Sequence, residues 1–141
     1  MSDFDVLLDT CAVIPWCYDR LPEALGMIES PLVSTITVQE VWTGALRPPL
    51  PRDPAQKRQA QWEARTLDLR SRVIPFGRVE ARIMAELRQA FLNEARKDNR
   101  VYADLMIAST ALAAGLPLAT YNVADFKRLH DDLVIVDLEA M

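Results

Sequence analysis

The sequence Val6-Leu7-Leu8-Asp9-Thr10 decides which fold the rest of the chain can adopt. Apolar residues that do not alternate with polar ones are typical of a strand buried on both faces, as in the centre of a parallel sheet. A carboxylate directly after such a strand lies at the carboxyl edge of the sheet, where α/β proteins bind ligands. The next four residues are again apolar, so we expect Asp9 to lie at the rim of the core and to need a partner for its charge.

The composition fits one domain over residues 1–141, because half of the residues are hydrophobic and can form a core of ordinary size. No apolar run approaches the roughly 18 residues of a membrane span, and the first five residues are acidic where a signal peptide would be basic. Cys11 and Cys17 are too few for a disulfide framework or a zinc site, so we expect both to be reduced. We therefore predict a cytoplasmic protein with no membrane contact.

Charge is distributed unevenly along the chain. Residues 45–100 contain 13 of the 16 Lys and Arg residues and 7 of the 20 acids, which gives this region a net charge of +6. The remaining 3 bases and 13 acids give the two ends a net charge of −10. A basic flank beside an acidic site suits a polyanionic substrate, although Arg-rich helices are also common as ordinary solvated surfaces.

Strands alternate with helices along the sequence. After the strand at 6–8, the patterns predict strands at 32–36, 72–76, 116–120 and 133–136, and helices at 14–18, 22–28, 37–46, 55–69, 77–97, 101–114 and 122–129. Four prolines at 47–54 form a hinge, so that residues 47–70 form a helical arm. The alternation predicts a three-layer α/β/α fold around a parallel sheet of about five strands.

Four acids lie at strand ends or in the first turns of helices: Asp9, Glu40, Asp104 and Asp125. Because the carboxyl ends of parallel strands meet at one edge, we expect Asp9, Glu40 and Asp125 to converge there. Asp104 begins a helix that leads towards the next strand, so its place at this edge follows less directly. The alternative is structural, since Thr37 and Glu40 fit a capping box and Asn122 fits an N-cap with Asp125 in the first turn.

Crowded carboxylates repel one another and either take up protons or bind a hard cation. Oxygen ligands without His or Cys favour Mg²⁺ or Mn²⁺ over Zn²⁺. The chain has one histidine, His130, no glycine-rich phosphate loop and no Gly-x-Ser-x-Gly turn, so the usual nucleophilic chemistries lack their parts. The pattern therefore favours hydrolysis in which a cation activates water and neutralises charge on a phosphate.

The motifs Leu8-Asp9-Thr10, Thr37-x-x-Glu40, Asp104-Leu-Met-Ile-Ala-Ser and Thr120-Tyr-Asn122-Val-Ala-Asp125-Phe126 together resemble the PIN domain. At this length, the chain is similar to the VapC toxins of bacterial toxin–antitoxin pairs. The resemblance covers nearly the whole chain, in order and spacing. Cys11 departs from the family pattern, in which Asn or Ser often follows Asp-Thr.

The resemblance implies a PIN-like nuclease domain that acts as an Mg²⁺- or Mn²⁺-dependent endoribonuclease on structured RNA, such as tRNA or rRNA. It makes Asp9, Glu40, Asp104 and Asp125 the catalytic, metal-binding acids, with Thr10, Thr120 and Asn122 as supporting residues. It also implies a homodimer and a VapB-like cognate antitoxin, through which the pair binds operator DNA. The basic residues that we expect to contact RNA phosphates are Arg47, Arg52, Lys57, Arg58 and Arg65.

Two other functions remain open at this point. The first is a PIN nuclease that takes part in RNA processing or acts on DNA, without a toxin role. The second is a non-catalytic binding or regulatory domain. A receiver-like domain has an acid cluster at the same sheet edge, but it also needs a lysine after a late strand, and residues 116–121 contain none.

Overall fold

A parallel sheet forms the centre of the protein, whose computed structural model describes residues 5–22, 25, 30–47 and 53–141. Within these residues the sheet has five strands in the order β3-β2-β1-β4-β5, all pairs parallel. The strands are β1 Leu7–Leu8, β2 Leu32–Ser34, β3 Arg72–Ile74, β4 Leu118–Thr120 and β5 Ile135–Asp137. The predicted three-layer α/β/α fold with a central parallel sheet is confirmed.

Helices connect the strands and cover the sheet. They are α1 Val13–Cys17, α2 Thr35–Leu46, α3 Pro54–Arg70, α4 Arg78–Ala90, α5 Leu92–Lys97, α6 Asn99–Ala114 and α7 Val123–Lys127. The predicted helix at 22–28 and the proline-rich segment 48–52 lie largely or wholly outside the described residues. Among the helices that the structure describes, none has the length and apolar character needed to cross a membrane.

Each central strand sends successive side chains into two separate apolar clusters. Leu7 and Leu118 belong to the cluster that packs beneath α4, α6 and α7, whereas Leu8 and Ala119 belong to the cluster beneath α1 and α3. All four side chains are fully buried. The absence of a polar alternation in the first strand follows from this placement, because both faces of β1 are covered by helices.

The boundary between β2 and α2 differs from the prediction. The strand ends at Ser34, whose hydroxyl accepts a hydrogen bond from the backbone N–H of Ile36 and caps α2. The helix therefore begins at Thr35, two residues before the predicted start, and Thr37 lies inside its first turn. The capping-box interpretation of Thr37 and Glu40 is wrong, and their side chains are free for other contacts.

The long helix predicted at 77–97 is divided at Phe91. This residue ends α4 with a φ of −123° and also precedes the first residue of α5. The apolar spacing of residues 79–91 continues the helical period up to the break, which explains why the sequence pattern did not mark it. The break turns α5 so that Glu94 lies beside the carboxyl edge of the sheet, where it lines a cavity.

The basic helix α3 is docked against the rest of the domain. Asp53 caps it by accepting a hydrogen bond from the backbone N–H of Gln56, and Ala64 and Leu67 are fully buried beneath it. On its flanks, Trp42 donates its indole N–H to Asp68 at 3.0 Å, and the Tyr18 hydroxyl donates to Glu63 at 2.9 Å. The predicted helical arm therefore packs on α1 and α2 along much of its length.

Glycine substitutions test the helix boundaries. Gly115 ends α6 with a φ of +66°, whereas Gly44 lies within α2, and an added Cβ meets no atom within 4 Å at either position. Gly115→Ala should lower the free energy of unfolding by about 1 kcal/mol, because left-handed backbone is unfavourable for L-residues. Gly44→Ala should raise it by about 0.5 to 1 kcal/mol through helix propensity. Urea denaturation measures both changes, and equal signs would contradict the assigned conformations.

Candidate functional site

The Asp9 carboxylate is the most constrained group at the carboxyl edge of the sheet. Its side chain is 4% exposed. Oδ1 accepts a hydrogen bond of 2.7 Å from the backbone N–H of Thr10, and Oδ2 accepts one of 2.8 Å from the Thr120 hydroxyl. These donors satisfy a buried charge that would otherwise be costly, and they fix the direction of the carboxylate.

Thr10 connects β1 to the start of α2. Its hydroxyl donates to Glu40 Oε1 at 2.8 Å and lies 3.0 Å from the hydroxyl of Thr37. Glu40 is thus held one turn into α2 with one carboxylate oxygen directed at the residue that follows Asp9. The end of β1 and the helix that follows β2 therefore contribute neighbouring acids, as the sequence predicts.

The acids predicted from the sequence line one open cavity of about 510 Å³. Its wall in the described part of the chain consists of Asp9, Thr10, Cys11, Glu40, Glu94, Asp98, Arg100, Val101, Asp104, Asn122, Asp125 and Arg128. Asp104 reaches it from the second turn of α6, and Asp125 reaches it from the first turn of α7. The structure therefore brings all four predicted acids together, including Asp104.

Among the cavity acids, Asp104 has the most strongly raised pKa. Burial raises the pKa of this carboxyl from an ordinary 3.8 to about 7. The charges of Asp9, Asp125 and Glu40 act in the same direction, and the Arg128 guanidinium opposes them. Among the described residues, the Arg128 charge is thus the interaction that counters the repulsion at Asp104.

The pKa of Glu40 is also raised. Burial is the main cause, the hydrogen bond from Thr10 acts in the opposite direction, and the charge of Asp9 adds to the rise. The pKa values of two of the cavity acids are thus raised above their ordinary range. Carboxyls with raised pKa values that share a cavity are typical of functional sites.

Thr120 and Asn122 support Asp9 from the fourth strand. The Thr120 hydroxyl, which is fully buried, accepts a hydrogen bond of 2.9 Å from the backbone N–H of Asn122 while it donates to Asp9. The side chain of Asn122 makes no cap bond to α7 and is one of the exposed groups in the cavity wall. Asn122 therefore occupies the N-cap position of α7 with Asp125 in the first turn, as the sequence indicates, but it makes no capping bond with its side chain.

Cys11 contributes a thiol to the same wall. Its Sγ donates to Asp9 Oδ2 at 3.1 Å and accepts from the backbone N–H of Tyr121 at 3.4 Å. Burial, and then the charge of Asp9, raises the pKa of the thiol to about 11. The group therefore stays protonated and acts as a hydrogen-bond donor, so the departure from the family pattern keeps a donor beside Asp9.

The donor set of the cavity fits a hard divalent cation. The acids offer oxygen ligands alone, and a cation in their midst would replace the proton that Asp104 favours. In the residues that the structure describes, no three His, Cys, Asp or Glu side chains are grouped so as to hold a metal ion as they stand. Coordination by several of these acids therefore requires rotation of their side chains.

The basic residues predicted to bind RNA lie on other surfaces of the described chain. Arg58 and Arg65 are exposed on α3, Lys57 is half-buried there, and Arg47 is exposed directly after α2. Arg52 lies outside the described residues. The structure places none of the described four in the cavity wall.

Sequence reasoning missed the cations of the cavity, Arg100 and Arg128. Arg128 lies three residues after Asp125, at the end of α7, so its position near the predicted acids was open to inference. Arg100 lies in the first turn of α6, one turn before Asp104. Neither arginine was predicted, because charged residues on helices are usually exposed to solvent and have no functional role.

Comparisons with known proteins identify the fold independently. A sequence model of the PIN domain matches residues 6–131. Among curated proteins the comparison gives no significant match.

Solved structures share this fold along almost the whole chain. VapBC-5 of Mycobacterium tuberculosis, a toxin–antitoxin system, is 24% identical with a TM-score of 0.72, over 94% of this chain and 98% of that chain. DNA-bound VapBC of Salmonella typhimurium is 21% identical with a TM-score of 0.71, over 95% and 98%. FitAcB of Neisseria gonorrhoeae is 24% identical with a TM-score of 0.64, over 96% and 99%.

Asp104→Asn should stabilise the metal-free protein at high pH. The pKa of Asp104 is higher in the folded protein than in the unfolded chain, so the folded protein loses stability when this carboxyl ionises. The free energy of unfolding is unaffected below pH 3.8, decreases as the pH rises, and reaches its lower value above about pH 7. In EDTA at pH 8, the variant should therefore exceed wild type by about 1 to 2 kcal/mol, a range reduced for solvent screening of a half-buried group. At pH 5 the difference should fall to roughly a third of its value at pH 8, because most of the penalty develops between pH 5 and pH 7.

Urea denaturation at the two pH values measures this change. The matched control is Asp131→Asn, which removes an exposed acid outside the cavity and should give the same difference from wild type at both pH values. An Asp104→Asn variant that is destabilised equally at pH 5 and pH 8 would contradict the electrostatic account.

Proposed function

The chain belongs to the PIN domain family, and from this we propose that it is an Mg²⁺- or Mn²⁺-dependent endoribonuclease that acts as the toxin of a toxin–antitoxin pair. The observation that carries the proposal is the cavity lined by Asp9, Glu40, Asp104 and Asp125 at the carboxyl edge of the sheet. The substrate that suits it is a structured RNA, and the reaction is hydrolysis of a phosphodiester bond.

The four acids have distinct parts in this proposal. Asp9, Glu40 and Asp104 would hold the cation, and Asp125 would complete the site or orient the attacking water. When bound, Mg²⁺ or Mn²⁺ lowers the pKa of water and neutralises charge that develops on the phosphate. Asp104 must lose its proton to act as a ligand, so binding of the cation should release protons below about pH 7.

The supporting residues fix two of the acids, Asp9 and Glu40, before substrate arrives. Thr10 sets the direction of Asp9 through its backbone and of Glu40 through its hydroxyl. Thr120 holds the second oxygen of Asp9, and Asn122 holds Thr120. Preorganised ligands avoid the cost of reorganisation when the charge on the phosphate develops.

An antitoxin partner is the second part of the proposal. The structural neighbours include VapBC-5, a member of a family of toxin–antitoxin systems, and a toxin–antitoxin complex of Klebsiella pneumoniae, and VapBC2 of Rickettsia felis is bound to a DNA fragment from the promoter. By analogy, we expect a VapB-like antitoxin to block the cavity of a cytoplasmic homodimer and to link the pair to operator DNA. The single-domain arrangement over residues 1–141 is part of the same proposal, with the arm 47–70 as a contact for RNA or antitoxin.

Arg47, Arg52, Lys57, Arg58 and Arg65 would contribute to RNA binding from outside the cavity. Four of them have described positions: Lys57, Arg58 and Arg65 lie on α3, and Arg47 directly follows α2. Their charges would attract a polyanion to the domain in a salt-dependent manner.

Asp104→Asn should reduce RNA cleavage by at least about 100-fold, because it removes a ligand charge from the site. The substrate is total cellular RNA with Mg²⁺ or Mn²⁺, and sequencing of fragment ends reports the cuts. Wild type in EDTA should be equally inactive. Asp131→Asn, which removes an acid outside the cavity, should cleave like wild type.

The toxin role has a separate readout. Expression of the wild-type chain should arrest bacterial growth, and expression of Asp104→Asn at the same level should not. Cleavage that persists in EDTA or in Asp104→Asn would contradict the metal-dependent mechanism. Cleavage without growth arrest would favour a role in RNA processing.

A further inference from the structure

The cavity is too acidic to accept a polyanion without additional cations. Its described wall contains six acids, the four named above with Glu94 and Asp98, against Arg100 and Arg128. Every RNA phosphate that approaches therefore meets a net negative surface, and a divalent ion offsets part of it. A fixed cation of the protein at this wall would give the backbone of the RNA a position relative to the acids.

Arg128 has the geometry of such a fixed cation. Its guanidinium lies over the ring of Phe91, with Cζ 5.1 Å from the ring centroid. Nη1 donates to Glu94 Oε2 at 2.9 Å. One face of the Arg128 guanidinium and one of its nitrogens are thereby held in place. Among the described residues, its other N–H groups make no hydrogen bond.

The two cations of the wall differ in how well they are held. The Arg128 side chain is 41% exposed, whereas the Arg100 side chain is 90% exposed and its Nε lies 3.6 Å from Asp98. Arg100 thus projects into solvent at the rim. Arg128 loses less freedom on binding a phosphate, because an aromatic face already orients it.

We propose that Arg128 binds an RNA phosphate at the mouth of the cavity and that Glu94 occupies the same guanidinium in the free protein. This inference rests on the proposed ribonuclease function and assigns a substrate-binding residue to it. On binding, the phosphate oxygens replace the Glu94 carboxylate as acceptors, and no covalent bond changes. Guanidinium groups match phosphate with paired N–H donors, which an ammonium group cannot reproduce.

The exchange is favourable because the Arg128–Glu94 pair is exposed. Glu94 has a side-chain exposure of 54%, and ion pairs of this kind contribute little to stability. The break after α4 places Glu94 on the short helix α5, and more than half of its side chain is exposed, so the carboxylate can move aside by rotation of the side chain. Glu94 therefore acts as a weak competitor of the substrate for one cation.

Salt dependence of RNA binding tests the proposal. The probe is a fluorescently labelled RNA stem-loop with a single-stranded loop, bound in Ca²⁺ and followed by anisotropy over a series of KCl concentrations. Arg128→Gln should weaken binding on the order of tenfold at low salt and reduce the slope of log affinity against log salt by about 0.7, which corresponds to one phosphate contact. Glu94→Gln should tighten binding several-fold.

Two further variants separate charge from structure. Arg128→Lys should keep the wild-type salt slope but lose affinity, since it retains the charge without the paired donors. Arg96→Gln removes an exposed cation from α5, outside the cavity wall, and should leave the binding affinity and the slope near the wild-type values. Thermal unfolding of each variant confirms that it is folded.

The outcomes distinguish this inference from the proposed function. If wild type cleaves RNA but Arg128→Gln binds with unchanged slope and affinity, the assignment of Arg128 is wrong and the ribonuclease stands. If the slope depends on Arg128 but no cleavage occurs with Mg²⁺ or Mn²⁺, the phosphate site stands and the ribonuclease is wrong. If Glu94→Gln weakens binding as Arg128→Gln does, the pair is a structural unit and the proposal fails.

Discussion

A charge buried at the end of the central strand is the constraint on which this structure depends. Asp9 is almost inaccessible to water, and its oxygens are satisfied by the turn that follows it and by the hydroxyl of Thr120. An unpaired carboxylate at this depth would be costly, so β1 and β4 must be adjacent and in register for the charge to be tolerated. The same requirement brings Thr10, and through it Glu40, to the carboxylate.

Much of the fold and the membership of the acid cluster could be predicted from the sequence. Leu7 and Leu8 enter opposite apolar clusters, and that placement is the reason for the continuous apolar run before Asp9. Parallel strands share a carboxyl edge, so the positions of acids after strands were enough to indicate convergence. Gly115 ends its helix in the left-handed region, as its position before Pro117 indicates. The chemical roles of the acids remain proposals.

The features that escaped prediction depend on contacts between residues that are distant in sequence or on local competition between caps. Ser and Thr are both suitable N-cap residues, so the sequence offers Ser34 and Thr37. In the structure, β2 pairs with β3 up to Ser34, and the Ser34 hydroxyl caps the helix that follows. The break at Phe91 interrupts an apolar period that would support one continuous helix. The Arg128 guanidinium is positioned by contacts with the Phe91 ring and the Glu94 carboxylate. Both residues lie at or just after that break, which brings them near the end of α7.

The order in which the strands join the sheet has a consequence for protein synthesis. β1 lies between β2 and β4, and the bond from Thr120 to Asp9 closes a loop of 111 residues. A nascent chain shorter than this exposes one side of its first strand, and it also lacks Asp125. Contacts of such long range form late and slowly. A nascent chain that ends before Thr120 therefore lacks the hydroxyl that holds Asp9, and the described wall of the cavity is complete only once Arg128 has been added.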